Sequence, residues 1–453
     1  MKKFFVLPLL FTVVLCTAQA SDQEIVFSKV NVIPMNEEKV IRNQDVVVKN
    51  GMITAVGESG KVKFNKDARV IDANGKFLMP GLAEMHAHVP PVDDIEPMKE
   101  VLKLFLYNGI TTIRGMLGHP RHLELRSKIQ SGEIIGLHFY TSGPSFNGNS
   151  VKTPEAGAEM LRNQKQAGYD FLKLHPGLTK ENFAAIAKTA KEVSIPFAGH
   201  VSFDVGVWRA IEAGYASIDH LDGFVESLVP GIENIPEQQT GSFGMYIAKK
   251  ADVNKIPALM KELKKKNIWV VPTQALAERW FSPDKDADAF AREPEMIYMK
   301  EETMKNWVNS KKNIMANPNY NAEEIKKFIA LRRKLIYECQ RNGVGLLLGS
   351  DGPQVFNVPG FSVHHELKYM VDAGLTPYQA LQSGTVNVAK YFHLTNTGMV
   401  KTGYVSDLVL LDANPLENIE NTKKIAGVML GKYWLPKEEL AAELKKLEKP
   451  KQF

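Results

Sequence analysis

Cysteine is nearly absent from this chain of 453 residues, which contains only two. Cys16 lies in an N-terminal segment that we expect to be removed, so Cys339 would remain alone and no disulfide could form within the mature chain. This holds even though the N-terminal segment indicates export to a compartment that permits disulfides. Stability must therefore come from the hydrophobic core and from any bound metal.

A strong excess of one charge is also missing. The 56 lysines and arginines nearly balance the 51 aspartates and glutamates, and the formal net charge is +5. Loss of Lys2 and Lys3 with the N-terminal segment lowers this by two, to +3, which is too close to neutral to favour a polyanion. We therefore expect a small-molecule substrate and no nucleic acid as partner, and the sequence leaves a homo-oligomer open.

Long hydrophobic runs are absent after residue 20. Before it, two lysines precede the apolar run Phe4–Cys16, and Ala18-Gln19-Ala20 follows as a small-x-small cleavage site. Because the run is shorter than the roughly 20 residues that cross a bilayer, it predicts a signal peptide over residues 1–20 rather than a membrane anchor. A lipoprotein is the other alternative, but Leu15 precedes Cys16 where a small residue is usual. We expect a periplasmic or secreted chain without stable membrane insertion.

Both ends of the remaining chain are rich in short β-branched runs. Near the start, Asp45–Lys49 and Met52–Val56 flank Asn50-Gly51, which is a strong hairpin signal. Near the end, Asp407–Asp412 and Ile425–Leu430 form a second such patch. Since neither patch is large enough to fold alone, we expect residues 21–75 and 396–453 to form one small sheet domain, with a terminal helix.

Between these ends, short apolar runs alternate with helix-length segments. With 44% hydrophobic and 24% charged residues, the chain can bury a sizeable core. Strands that alternate with helices indicate an α/β protein with a parallel sheet, and eight of them over residues 76–395 predict a (β/α)8 TIM barrel. A doubly wound open sheet is the alternative. The eight candidate strands are Lys76–Met79, Gly109–Arg114, Leu137–Thr141, Asp170–Leu174, Ile195–His200, Ala216–His220, Ile268–Pro272 and Gly345–Ser350.

One connection, at about residues 275–342, is too long for a normal link between strand and helix. Its helical spacing, as in Ile325–Ile336, predicts an inserted helical lid beside the mouth of the barrel. A solvated outer pair of helices is the alternative for most of its residues.

The active site of a barrel lies at the carboxyl ends of its strands. Residues i and i+2 of an extended segment point the same way, so one ion could bind both His86 and His88 through neutral ring nitrogens. A lone His-x-His pair is weak evidence, and either of two further histidines could be structural. The coincidence of several such side chains at separate strand ends nevertheless predicts a metal site. Its candidate ligands are His86, His88, Lys173, His200, His220 and Asp351.

Lys173 and Asp351 suggest particular chemistry. A lysine buried beside cations loses its preference for the ammonium form, and its carbamate with carbon dioxide has two oxygens that can bridge two cations. The alternative is an ion pair of Lys173 with Asp170 or Glu181. Asp351 could bind a metal and accept a proton from the attacking water, whose pKa falls from about 16 to near 7 on a metal, and then pass it to the leaving group. In isolation Asp351 could equally be a turn aspartate.

These residues, in this order, resemble the amidohydrolase superfamily of metal-dependent hydrolases. The neighbouring motifs resemble its imidazolonepropionase-like and prolidase-like branch, and the resemblance covers nearly all of the chain after the signal peptide. The motifs that carry it are Gly109–Arg114, Gly199-His200, Ser217–Leu221, Val271–Thr273, Gly374–Pro377, Ala380-Leu381, Gly398, Gly403 and Ser406–Pro415.

The resemblance implies a β-sandwich from both chain ends and two divalent metal ions, with zinc as the first expectation. It places His86, His88 and Asp351 on one ion and His200 and His220 on the other, bridged by carboxylated Lys173 and a hydroxide. Family members hydrolyse amide, lactam, lactone and some phosphoester bonds. We therefore predict an exported binuclear amidohydrolase that cleaves a carbon–nitrogen bond, as a dipeptidase does, in a dipeptide or an N-acyl amino acid.

Two departures from the family pattern concern the substrate. Prolidase-like relatives often carry tyrosine where this chain has Phe203, and their second strand commonly ends Arg-Asp where this one ends Arg114-Gly115. Our candidates for substrate contact are Arg114, Tyr140 and His175, the last also a possible substitute ligand. The alternative functions are a lactonase or phosphotriesterase with the same centre, and a non-catalytic periplasmic binding or scaffold protein.

Overall fold

The computed structural model describes residues 23–450. The predicted signal peptide and its cleavage site lie outside the described residues. Within residues 23–450, no helix has the length and apolar character needed to span a membrane.

The described residues form strands and α-helices, with several short 3-10 helices between them. The strands are β1 (Ile25–Val32), β2 (Ile41–Lys49), β3 (Met52–Glu58), β4 (Arg69–Asp72), β5 (Phe77–Pro80), β6 (Leu82–Ala87), β7 (Ile110–Gly115), β8 (His138–Thr141), β9 (Leu172–Leu174), β10 (Phe197–Gly199), β11 (Ser217–Asp219), β12 (Trp269–Val271), β13 (Leu408–Leu411), β14 (Ile425–Leu430) and β15 (Tyr433–Pro436). The α-helices are α1 (Ile95–Tyr107), α2 (Pro120–Gln130), α3 (Pro154–Ala167), α4 (Lys180–Glu192), α5 (Gly206–Ala213), α6 (Phe224–Leu228), α7 (Ile256–Lys265), α8 (Gln274–Trp280), α9 (Ala287–Ala291), α10 (Glu301–Met315), α11 (Ala322–Asn342), α12 (Phe361–Asp372), α13 (Pro377–Ser383), α14 (Val386–Tyr391) and α15 (Lys437–Leu447). The 3-10 helices are Ile232–Asn234, Glu237–Gln239, Ser242–Gly244, Ala248–Lys250, Val253–Lys255, Pro294–Tyr298 and Ile419–Lys423.

Capping residues explain where several of the helices begin and end. Thr153, Thr179 and Asn321 each accept a hydrogen bond from a backbone N–H in the first turn of α3, α4 and α11. Gly343 ends α11 in the left-handed conformation, with a φ of 72°. Local sequence thus sets these boundaries, while burial of an apolar face holds each helix against the strands.

Both ends of the chain contribute to one eight-stranded sheet. Its order is β15-β14-β13-β5-β1-β2-β3, and β4 pairs with β1. The predicted hairpin is confirmed, because β2 and β3 pair antiparallel around Asn50-Gly51, whose two φ angles are both positive. The core of this terminal sheet is a separate hydrophobic cluster, which includes Phe27, Leu78 and Leu408.

The strands that carry the candidate ligands are parallel and lie in two sheets. β6, β7 and β8 form the first, and β9, β10, β11 and β12 form the second. A parallel bridge from Ser142 to Phe171 connects β8 with the start of β9. Because the strands of each sheet run the same way, their carboxyl ends meet at one edge.

Two of the eight candidate strands differ from the prediction. The first was placed at Lys76–Met79, but Phe77–Pro80 lies between β1 and β13 in the terminal sheet, and the first parallel strand is β6. Its hydrophobic pattern was obscured because two of its six buried residues are Glu84 and His86. The last, Gly345–Ser350, forms only a single bridge, from Leu346 to Val270.

The long connection after β12 is helical and reaches the candidate site. Arg332 of α11 is buried and donates hydrogen bonds to the carbonyl oxygens of His220 (2.7 Å) and Pro272 (2.8 Å). Helix α11 therefore supports the turn that carries a candidate ligand, and the inserted helical lid stays a prediction.

Candidate metal centre

The six predicted ligands converge at the carboxyl ends of the parallel strands. His88 Nε2 lies 2.6 Å from Asp351 Oδ1, and His86 Nε2 lies 3.5 Å from the same oxygen. Lys173 Nζ lies 3.3 Å from His86 Nε2. His86, His88 and Asp351 each offer a ligand atom, and these atoms lie within 4.8 Å of one another. This is the set of residues that the resemblance assigned to the first ion.

His200 and His220 complete a cluster of imidazoles. The ring of His220 lies 4.4 Å from that of His86 and 4.3 Å from that of His200, measured between centroids. Both His220 and Asp351 adopt positive φ angles, of 63° and 65°. Such conformations cost free energy in non-glycine residues and are common at functional sites.

The second ring nitrogen of three histidines already has a polar neighbour. His86 Nδ1 lies 2.8 Å from Asp219 Oδ2, His200 Nδ1 lies 2.9 Å from Asp222 Oδ2, and His220 Nδ1 lies 2.9 Å from Thr273 Oγ1. Ligand histidines in proteins commonly hold such a partner, which fixes the ring and leaves Nε2 for the metal. In His200 and His220 the hydrogen-bonded Nδ1 leaves Nε2 as the atom that can bind a metal.

Two observations fit a bound metal. The Nε2 atom of His220 is buried and has no hydrogen-bond partner among residues 23–450, which is costly unless something binds it. Burial and the surrounding positive charges hold the pKa of His86 and of His220 well below the usual value, and lower the pKa of His200 to about 3. Neutral imidazole is the form that binds metals.

Lys173 is fully buried, and burial lowers the pKa of its amine to about 8. It forms no ion pair within the described part of the chain, because Asp170 binds Arg126 instead (2.5 Å) and Glu181 is exposed. The ion-pair alternative for Lys173 is therefore wrong. Gly199 makes room for the lysine, since a Cβ atom there would lie 2.4 Å from the carbonyl oxygen of Leu174 and 2.9 Å from Lys173 Cδ.

Glu84 is a positioning residue that the sequence analysis missed. Its carboxylate accepts hydrogen bonds from the backbone N–H of His86 (2.8 Å) and of Ser350 (2.9 Å), and from the hydroxyl of Ser350. Glu84 therefore connects the strand of His86 to the loop of Asp351, and burial raises its pKa to about 8. Its position two residues before His86, on the same face of a strand, could have indicated this role.

Residues 77–432 match the model of the amidohydrolase family. The chain belongs to this family. The predicted resemblance to amidohydrolases and the prediction of an enzyme are both confirmed.

Named relatives include enzymes that act on carbon–nitrogen bonds. An enamidase of Eubacterium barkeri is 26% identical over 228 residues, which are 47% of this chain and 51% of the enamidase, so the match spans about half of each protein. A 5-methylthioadenosine/S-adenosylhomocysteine deaminase of Pyrococcus furiosus is 23% identical over 83% of this chain and 84% of its own length. The solved structure of a Xaa-Pro dipeptidase with bound methionine is 18% identical and covers 91% of this chain and all of its own, with a TM-score of 0.66.

Two of the three predicted substrate contacts of this amidohydrolase are wrong. Arg114 is fully buried, and its N–H groups donate to Met85 O, Ser217 Oγ, the Tyr391 hydroxyl and both oxygens of Asp219. These contacts use the five N–H groups of Arg114, so none remains for a substrate. Arg114 supports Asp219, which in turn contacts His86.

Tyr140 lies near the carboxyl end of β8, where it pairs with Arg114 of β7, but its ring has partners away from the candidate ligands. Its ring stacks on Phe392 at 3.9 Å between centroids, and it borders a cavity of about 160 Å³ together with Pro80 and Gly81. Pro80 and Gly81 precede β6, whereas His86 is near its end, so the ring of Tyr140 reaches toward the amino ends of the strands although the residue itself lies at a carboxyl end. His175, by contrast, does lie at the centre, because its ring stacks on that of His200 at 5.0 Å.

A large cavity opens beside the histidines of this amidohydrolase. It has a volume of about 1230 Å³ and is bordered by His200, Asp222 and the ring of Phe243. That ring stacks on His220 at 5.3 Å between centroids. Much of the wall comes from α5, α6 and the 3-10 helices up to Lys255, a region that the sequence analysis did not identify.

Proposed function

We propose that this amidohydrolase is an exported, binuclear metal-dependent enzyme that hydrolyses an amide bond in a dipeptide or an N-acyl amino acid. The observation that carries the proposal is the convergence of the candidate ligands at one buried position, where the Nε2 atom of His220 has no partner among the described residues. The prolidase-like fold of the Xaa-Pro dipeptidase supports a peptide substrate, and the cavity is large enough for one. Export rests on the pattern of residues 1–20.

The ligands divide into two sets in this proposal. His86, His88 and Asp351 would hold one divalent ion, His200 and His220 the other, and the carbamate of Lys173 would bridge them. The lowered pKa of Lys173 supports this role, because carbon dioxide reacts with the neutral amine. Zinc is the first candidate, since imidazole and carboxylate ligands suit it. When bound, such ions polarise a carbonyl oxygen and lower the pKa of water to near 7.

Asp351 is the proposed proton carrier. Its carboxylate is buried, and the loop that bears it is held to β6 through the contacts of Glu84 with Ser350. It would accept the proton of the attacking water and deliver it to the leaving nitrogen, which departs as an amine. His88, at the same edge, keeps Asp351 in place through its contact of 2.6 Å.

We also propose that the two parallel sheets close into one (β/α)8 barrel and that the terminal sheet folds as a sandwich. Closure is supported on both sides of the segment around Leu346. Its neighbour Leu347 donates a backbone hydrogen bond to Val270 of β12 (2.9 Å), and Leu348 accepts one from Met85 of β6 (2.8 Å).

Metal analysis and a substrate screen test the proposed function. We expect about two equivalents of metal per chain and turnover of members of a library of dipeptides and N-acyl amino acids, rather than of lactones or phosphotriesters. A metal-free protein of full stability would contradict the proposal and favour a scaffold. In protein grown with labelled bicarbonate, a carbamate carbon signal that is lost in Lys173→Met would support the bridge.

The Asp351→Asn variant tests the proton carrier. It should keep metal and lose nearly all turnover, because asparagine can still offer an oxygen ligand but cannot accept the proton. Asp288→Asn is the matched control, since Asp288 is an exposed residue that pairs with Lys312 on the surface. A rate close to that of the unmodified enzyme in Asp351→Asn would remove Asp351 from the mechanism.

A further inference from the structure

The cavity beside the candidate metal centre has an excess of acidic side chains. Six carboxylates border it but only three lysine or arginine side chains, and one of these, Lys180, is already paired with Asp204 at 3.0 Å. A concave surface with a carboxylate excess attracts positively charged ligands. The six acidic residues are Asp204, Glu212, Asp222, Glu226, Glu233 and Glu237.

Glu226 stands apart from the other five. Its Oε2 atom is buried and has no hydrogen-bond partner within residues 23–450. The positive charge of Arg332 acts to lower the pKa of Glu226, but Arg332 forms no hydrogen bond with it, because the hydrogen bonds of that guanidinium go to Gln274, His220 and Pro272. A buried carboxylate without a partner is costly, and burial raises the pKa of Glu226 to about 8. A positively charged ligand would supply the missing partner and favour the ionised form of Glu226.

The walls around Glu226 suit a cation as well. Gly244 packs against its carboxyl group, since a Cβ atom there would lie 3.2 Å from Glu226 Cδ. The preceding residue, Phe243, and also Trp208 and Trp280 present aromatic rings to the same cavity. A cation that is flanked by aromatic faces gains a further favourable interaction.

We infer that Glu226 determines specificity by binding a positively charged ammonium or guanidinium group of the substrate. The inference rests on the proposed function, because the cavity opens at the proposed metal centre. The enzyme then favours peptides and N-acyl amino acids that carry a basic side chain or a free amine over neutral substrates of equal size.

Matched substrates separate charge from size. We would compare dipeptides that contain lysine with the same dipeptides that contain norleucine, each with a free or an acetylated amino terminus. The unmodified enzyme should prefer the charged member of a pair by about tenfold or more in kcat/KM, mainly through KM. Glu226→Gln should abolish that preference, whereas Glu302→Gln, at an exposed position on α10, should retain it. Whether the side chain or the terminal amine carries the preference identifies which cation Glu226 binds.

A binding measurement keeps this inference distinct from the proposed function. Calorimetric titration with arginine amide and with citrulline amide needs no turnover. It therefore shows whether Glu226 binds a cation even if no peptide is hydrolysed. We expect arginine amide to bind the metal-loaded enzyme about tenfold more tightly than citrulline amide, and to lose this advantage in Glu226→Gln. Equal binding of the two amides, or an advantage that survives in a folded Glu226→Gln variant, would overturn the inference.

Discussion

Replacing Arg114 with methionine tests the finding that this arginine is a structural support and not a substrate contact. Arg114 and Asp219 are both 0% exposed, with 3.2 Å between Nη2 and Oδ2, so solvent does not screen the pair. In Arg114→Met, Asp219 retains only the hydroxyl of Ser217 (2.8 Å) and the ring of His86 as polar neighbours from this network. Removing one partner of a buried ion pair costs about 3–5 kcal/mol, because the other charge is left without compensation.

The assay is urea unfolding of the metal-free protein, with the free energy of unfolding obtained by linear extrapolation. We expect Arg114→Met to lose about 3–5 kcal/mol. Arg162→Met should lose less than about 1 kcal/mol, because the pair of Arg162 with Glu192 is exposed on the surface. Adding Asp219→Asn to Arg114→Met should recover part of the loss, since it removes the uncompensated charge.

A different outcome would refute this reasoning. If Arg114→Met unfolds like the unmodified protein and only raises KM for the substrate, Arg114 is a binding residue. If the double variant is as unstable as the sum of the two single variants, the two side chains do not act as a pair.

Two other positions give predictions of different kinds. Gly199→Ala should destabilise the protein by roughly 2 kcal/mol more than Gly168→Ala, although both glycines have positive φ. The reason is that a Cβ atom at residue 199 would lie 2.4 Å from a backbone atom, whereas one at residue 168 would have no atom within 4 Å. Equal losses of thermal stability in the two variants would contradict this prediction. For Glu295, burial acts to raise the pKa, but the contacts with His365 and Arg279 outweigh it and lower the pKa from 4.5 to about 2. The contribution of Glu295 to stability is therefore present above about pH 4.5 and disappears as the pH falls through about 2. The Glu295→Gln variant should be less stable at neutral pH, and its stability should depend less on pH over that acidic range. An unchanged curve in acid denaturation would show that these contacts do not stabilise the carboxylate.

The ligand positions could be predicted from the sequence because they depend only on chain direction. Side chains at the carboxyl ends of parallel strands converge whatever the exact strand boundaries are, so His200 and His220 were found although β10 and β11 are only three residues long. The misplacement of the first parallel strand did no harm to His86 for the same reason.

The direction in which a side chain at a strand end points could not be predicted in this way. Arg114 and Tyr140 were placed at strand ends, but whether a side chain there faces the mouth or the interior depends on partners such as Asp219 and Phe392, which are distant in sequence. The cavity wall that follows Glu226 was missed because its short 3-10 helices show no repeating hydrophobic pattern in the sequence. Its shape follows from packing against α8 and α11, which no local pattern in the sequence records.

The pairing of β5 has a consequence for the order in which this molecule assembles. Pro80 at the end of β5 pairs with Leu408 of β13, and Gly81 alone separates β5 from β6, the strand that carries His86. The two partners are 328 residues apart in a chain of 453, and a contact between residues so distant in sequence is slow to form. Until β13 is synthesised, β5 has one open edge and the strand next to it has no fixed anchor. Catalytic competence should therefore appear late in folding, and a fragment that stops before residue 408 should leave His86 on a poorly supported strand.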